Sequence, residues 1–280
     1  MDFNYQEQLI YIRIIQEYFN YDFLKVFMKS LVFLESNDYY FFLPLLSFAF
    51  VSPKTSMKFL ITLFVGFQLM LWTKLFFGQP RPCVFDPTIA IRFSSSNGLP
   101  SCGAAMGLFL GAMLTRMTGS YIVGILYCLM MSFSRIYLGM HFFTDLIAGW
   151  ILGAFLILFF FKIYDRIERK VSSSYKYLSY ILLMITSSFV LIVGQLTKMD
   201  DKIKISVCLV STVFLASQAL NLNKIKDSSK LGPKLIQAAV LIAAYAFLML
   251  MLDKSAYPFV YVVMGVLAPL SYILRNRAEI

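Results

Sequence analysis

Charge is what this chain has least of. Only 14% of its 280 residues are Asp, Glu, Lys or Arg, against 59% hydrophobic and 17% aromatic, where an ordinary soluble domain carries roughly 25% charged residues. That deficit excludes a soluble globular protein, and the mean hydropathy of +0.73 points to an integral membrane protein. Histidine is scarcer still, with His141 the only one in the sequence. The start of the chain lacks a charged n-region followed by a short apolar core and a small-residue cleavage site, so no removable signal peptide is expected. No internal repeat of roughly 20 to 50 residues is evident.

What is abundant is apolar sequence. Stretches near the length needed to cross a hydrocarbon core of about 30 Å recur at approximately 38–52, 57–77, 104–117, 119–138, 143–162, 177–197, 205–220, 235–252 and 257–274. The expectation is an all-α polytopic helical bundle. Residues 1–36 differ, because Asp22, Lys25, Lys29 and Glu35 interrupt an otherwise apolar run and charge at membrane depth is costly. That segment reads as an amphipathic helix lying along the interface. The stretch KIYDRIERKVSSSYK at 162–176 separates two halves, giving an expected core over 37–170 and a C-terminal bundle of about four further spans over 171–280.

Orientation follows from the positive residues in the loops. Alternation places Lys54, Lys58, Arg116, Lys162, Arg166, Arg169, Lys170, Lys176, Lys224, Lys226, Lys230, Lys234, Arg275 and Arg277 on one side, which is therefore the cytoplasmic one and carries the C-terminus. The net charge of +10 is mostly this excess facing anionic lipid, and calls for no nucleic-acid partner.

Three segments fall together on the opposite face, toward the periplasm, exterior or lumen. The second span ends in Lys74, followed by Gly78, Arg81 and Pro82; Pro100, Ser101, Cys102 and Gly103 precede the third; Ser134 and Arg135 end the fourth, just before His141 and Asp145. Lys74 offers a point charge to phosphate oxygens, and Arg81 and Arg135 offer planar donor forks. Ser101 and the amides at a helix start add neutral donors. His141 is placed to attack phosphorus while Asp145 fixes its tautomer. Each residue has a plainer reading as well. Lys74 and Arg81 could snorkel to the interface, Ser101 could be an ordinary N-cap, and Asp145 could cap the fifth span as well as orient His141. Asp86 and Arg92 match no motif and read as surface residues.

The combined pattern resembles the type 2 phosphatidic acid phosphatase (PAP2) superfamily of lipid phosphatases and vanadium haloperoxidases, over roughly residues 20–165. Lys74, Arg81 and Pro82 match its first motif, and Ser134, Arg135, His141 and Asp145 its third. The resemblance implies a helical bundle and a metal-independent mechanism without a cofactor. It also implies His141 as nucleophile, Lys74, Arg81, Ser101 and Arg135 as phosphate ligands, and a phosphorylated lipid as substrate.

The second motif departs from the pattern. Its Pro-Ser-Gly-His is replaced by Pro100, Ser101, Cys102 and Gly103, so the histidine that would protonate the leaving group is Gly103, or Ala104 if one residue has been inserted. A general acid is typically worth about 10² to 10⁴ in rate. Two readings survive its loss. A lipid diphosphate loses a weakly basic phosphate that needs little protonation, so a diphosphatase or phosphotransferase is chemically sound without the acid. Alternatively the site binds or transports a phosphorylated lipid as a pseudoenzyme.

Cys83 and Cys102 lie beside the first and second motifs on the same face, where an oxidising compartment would allow a disulfide between them. The plainer reading is two thiols, and Cys102 as a substitute acid is a third. Cys128 and Cys208 read as apolar fillers. The spans after residue 177 show no paired charges and no histidine, and read as scaffold, homo-oligomer surface or lipid-tail groove.

Overall fold

The computed structural model describes residues 4–35, 37–94, 96–166, 231–251 and 257–277. The expected spans at 177–197 and 205–220, and Cys208, lie outside the described residues. Where the chain is described it is all-α. Three stretches, Pro53–Phe85, Phe143–Arg166 and Leu231–Leu248, are long and apolar enough to cross a membrane.

Two amphipathic helices come first, α1 (Tyr5–Tyr18) and α2 (Asp22–Ser30), followed by a 3₁₀ turn over Leu31–Glu35. Then come α3 (Asn37–Phe50), α4 (Pro53–Phe77), a single turn α5 (Pro82–Phe85), α6 (Cys102–Thr118), α7 (Tyr121–Tyr137) and α8 (Phe143–Leu158), which runs on into a π-helical turn. After the undescribed stretch the helices are α9 (Leu231–Met251) and α10 (Tyr257–Arg277). The starts and stops have local causes. Pro53 and Pro82 occupy first-turn positions, where a missing N–H costs nothing. Ser101 caps α6, and Gly119, with φ of +71°, ends it.

Two compact units emerge. Residues 1–36 and 65–161 form one, residues 37–64 and 162–280 the other. In the first unit α6 is the central helix, packed against α7 and α8. The approach to α8 is close because Gly149 and Gly153 carry no side chain: a Cβ at Gly149 would lie 2.6 Å from the Ser101 carbonyl, and one at Gly153 2.6 Å from that of Ala105. Small residues allow this backbone proximity in membrane bundles. The outer face of α7 is left apolar by Tyr121, Ile122, Ile125 and Leu126, all exposed, as a lipid-facing surface requires.

α1 is more than a surface helix. Leu9 and Ile12 are buried in a cluster with Ile89, Ala104, Ile136, Phe142 and Leu146, while Ile10, Tyr11 and Ile14 point outward. In the second unit α3 packs against α9 and α10. There the buried Arg275 donates to the Ala49 carbonyl at 2.7 Å and to Gln237 Oε1 at 2.8 Å.

Candidate active site

The site lies wholly within the first unit, at the end of α6 where the helix begins. Three connections converge there: the loop from α4 to α5, the long loop from Ile91 to Ser101, and the turn joining α7 to α8. The last of these is tight. Gly139 takes φ of +66°, and a Cβ at that position would overlap the Ile89 carbonyl oxygen, so only glycine lets residues 87–91 lie across the turn. The strap is held further by Arg92 N–H donating to the Leu138 carbonyl at 3.3 Å.

His141 follows that turn and is buried, 2% exposed. Arg81 Nη1 lies 3.1 Å from its Nε2, and Asp145 Oδ2 lies 3.2 Å from its Nδ1. A guanidinium can only donate, so Nε2 must accept and the proton of a neutral ring sits on Nδ1, facing the carboxylate. Burial, followed by the positive charges of Arg81, Lys74 and Arg135, pushes the imidazole well below the usual histidine range. The ring is therefore neutral near pH 7, with its lone pair on Nε2. That is the form a nucleophile needs.

Asp145 has two tasks. Its Oδ2 also accepts the Phe142 backbone N–H at 3.0 Å, which caps the first turn of α8, so the helix start and the imidazole are aligned by one carboxylate. Its Oδ1 accepts from Gln79 Nε2 at 3.1 Å, and its backbone carbonyl accepts the Ser101 N–H at 3.0 Å. Gly98 packs so closely that a Cβ there would come within 2.8 Å of Oδ2.

The cations hold the loop over the site. Arg81, 5% exposed, donates to the Ser96 carbonyl at 2.6 Å, Ser96 Oγ at 2.9 Å and the Met140 carbonyl at 2.7 Å. Lys74 Nζ donates to the Asn97 carbonyl and, at 3.4 Å, to that of Gly98. Arg135 is fully buried, bonded to Ser134 Oγ at 3.1 Å, with Met140 Sδ at 3.9 Å. Ser101 Oγ accepts the Ala104 N–H at 3.4 Å, as an N-cap does. Thus Arg81, His141 and Asp145 touch directly. Lys74 reaches them through the loop, Ser101 through its backbone, and Arg135 through electrostatics.

Several neighbours were not legible in the sequence. Gln79 contacts the orienting carboxylate from 66 residues away, and Ser96 holds Arg81; neither belongs to a recognisable pattern. Gly103 and Ala104, the two positions at which the second motif's histidine could fall, are both buried at the start of α6. Cys83 is half-buried on α5, and Cys102 is buried at the start of α6. Asp86, expected to be a surface residue, pairs with Arg13 of α1. Hydrogen bonds from Thr88 and Arg13 hold its carboxyl below the usual range.

Residues 55–169 match the family model described as PAP2 superfamily. An undecaprenyl-diphosphatase of Sulfolobus acidocaldarius is 29% identical over 146 residues, covering 49% of this chain and 70% of that protein. No solved structure matches.

Proposed function

Since residues 55–169 match the PAP2 superfamily model, we propose that the chain is a membrane lipid phosphatase of that superfamily that cleaves lipid diphosphates through a phosphohistidine intermediate. The reading is carried by one observation, the line Arg81–His141–Asp145 with contacts of 3.1 and 3.2 Å. It leaves a neutral imidazole with its lone pair toward a cation and its proton toward a carboxylate.

In the reaction the terminal phosphoryl group competes for Arg81, drawing the guanidinium from Nε2 and freeing the lone pair. Nε2 attacks phosphorus, and the bond to the bridging oxygen breaks with its electron pair leaving on the lipid monophosphate. The ring gains positive charge as it is phosphorylated, and Asp145 stabilises it through Nδ1–H. Lys74, Arg81 and Arg135 stabilise the charge on the equatorial oxygens. Water then attacks the phosphohistidine, releasing phosphate and restoring the imidazole.

The substrate class rests on the missing acid. An alkoxide leaving from a monoester needs a proton donor, and neither Gly103 nor Ala104, the positions where the motif would place one, can supply it; a phosphate leaving group does not need one. The curated relative's name, undecaprenyl-diphosphatase, supports the same class. Loop charge supports a site facing the periplasm, exterior or lumen, with α1 and α2 in the interface and the C-terminus cytoplasmic.

Phosphate release by the purified chain from matched mono- and diphosphate lipids tests this reading. Turnover of diphosphates only, lost in His141→Ala, is the expected result. Equal turnover of both would defeat the leaving-group argument. Binding without turnover, unchanged in His141→Ala, would favour the pseudoenzyme that the missing acid also permits.

A further inference from the structure

The histidine is set between two backbone segments, and both are fastened from outside the matched region by α1. Gln16 Nε2 donates to the Ile89 carbonyl at 2.9 Å and to the Tyr137 carbonyl at 2.8 Å. The first acceptor belongs to the strap that crosses Gly139, the second to the last residue of α7. One amide therefore ties together the two chains between which the turn to His141 passes. Arg13 pins the same strap through Asp86 and, at 3.5 Å, Thr88 Oγ1. Gln8 Oε1 accepts the Thr144 N–H at 3.3 Å on the far side of the histidine, and Tyr5 rests on Phe142, with ring centroids 4.9 Å apart.

We infer that α1 is a positioning element for the catalytic histidine and that Gln16 is its principal positioning residue. Gln16 does not touch His141. It fixes the separation of the Ile89 strap from the α7 terminus, and hence the turn at Gly139 and Met140, which leads directly into His141 and whose Met140 carbonyl oxygen accepts from Arg81. The proposal rests on the functional reading above only for its kinetic arm.

The single histidine supplies a second readout, because any histidine-specific modification reports on His141 alone. The full-length chain in detergent or nanodiscs would be compared with Gln16→Met, which keeps the length and removes both donors, and with Arg13→Gln, which releases the strap from an exposed position. With a diphosphate lipid, both variants are expected to lower kcat about tenfold, since small misplacements of a reacting group are costly, while KM stays within about twofold and the melting temperature is little changed. In parallel, His141 should react with diethyl pyrocarbonate about tenfold faster in the variants, as its buried ring becomes accessible. Unchanged kcat together with an unchanged modification rate would overturn the proposal, as would a loss of activity that merely tracks the unfolded fraction. If the wild-type chain turns over no lipid, the functional reading fails and the modification rate decides the positioning role by itself.

Discussion

At the scale of single residues, the chemistry is concentrated in His141 and its two contacts. Their identities and spacing were readable from sequence, because a nucleophile, its orienter and its cation must be particular residue types. Gln79, Ser96 and Gln16 were not readable: an amide or hydroxyl has no motif, and each acquires its role from partners up to 121 residues away. The histidine environment makes a pH prediction. Burial and the charges of Arg81, Lys74 and Arg135 depress its pKa, so ¹⁵N NMR of this one imidazole should show a midpoint below the ordinary value of about 6.5. Arg81→Gln should raise it, because a positive neighbour is removed. The unfolded chain binds this proton more tightly than the folded one, so the corresponding stability is present above pH about 6.5 and is lost as pH falls toward the depressed pKa. A midpoint at or above 6.5 would contradict the geometry. At Gly139, φ of +66° and the overlapping Ile89 carbonyl mean that Gly139→Ala should cost about 1–3 kcal/mol, measured by thermal unfolding, and should lower turnover in the fraction that stays folded.

Among the elements, α6 decides the site because its start brings the second motif against Asp145, whose carbonyl accepts the Ser101 N–H. The helices themselves were legible: apolar runs at 104–117, 119–138 and 143–162 appear as Cys102–Thr118, Tyr121–Tyr137 and Phe143–Leu158 with its π-helical turn. Their packing was not, since the Gly149 and Gly153 contacts with α6 depend on which faces meet. Gly149→Ala would place a methyl 2.6 Å from the Ser101 carbonyl, pushing the start of α6 away from Asp145. A fall in stability of about 1–3 kcal/mol with a loss of kcat should follow, and unaltered thermal unfolding and kinetics would count against the packing argument. Gly103 and Ala104 are both buried at this helix start, so Gly103→His and Ala104→His should each cost stability by overpacking, and the one that occupies the acid's place should raise monoester turnover. Melting temperature and monoester kcat/KM of the two variants together identify that position, and no gain in either would count against a simple loss of the acid.

For the whole molecule, the question is which way the site faces. Composition made the membrane legible, and the exposed apolar faces of α1, α4 and α7 agree with it, but an all-α bundle has no intrinsic up or down; only the loop charges break the symmetry. α6 offers a direct measurement, because its 17 residues rise about 26 Å at 1.5 Å each and separate the site from the opposite end of the first unit. Val84, on the α5 turn beside Arg81, and Met117, in the last turn of α6, are both well exposed, at 67% and 76%. In a Cys83→Ser background, Val84→Cys should react with a membrane-impermeant maleimide on intact cells. Met117→Cys should react only after permeabilisation, since Arg116 beside it belongs to the cytoplasmic cluster of positive charge. Labelling of both without permeabilisation would mean that α6 does not cross the bilayer. The opposite pattern would turn the phosphate site to the cytoplasm and restrict its substrate to lipid headgroups of the inner leaflet, because neither a headgroup nor His141 can be reached across the hydrocarbon core.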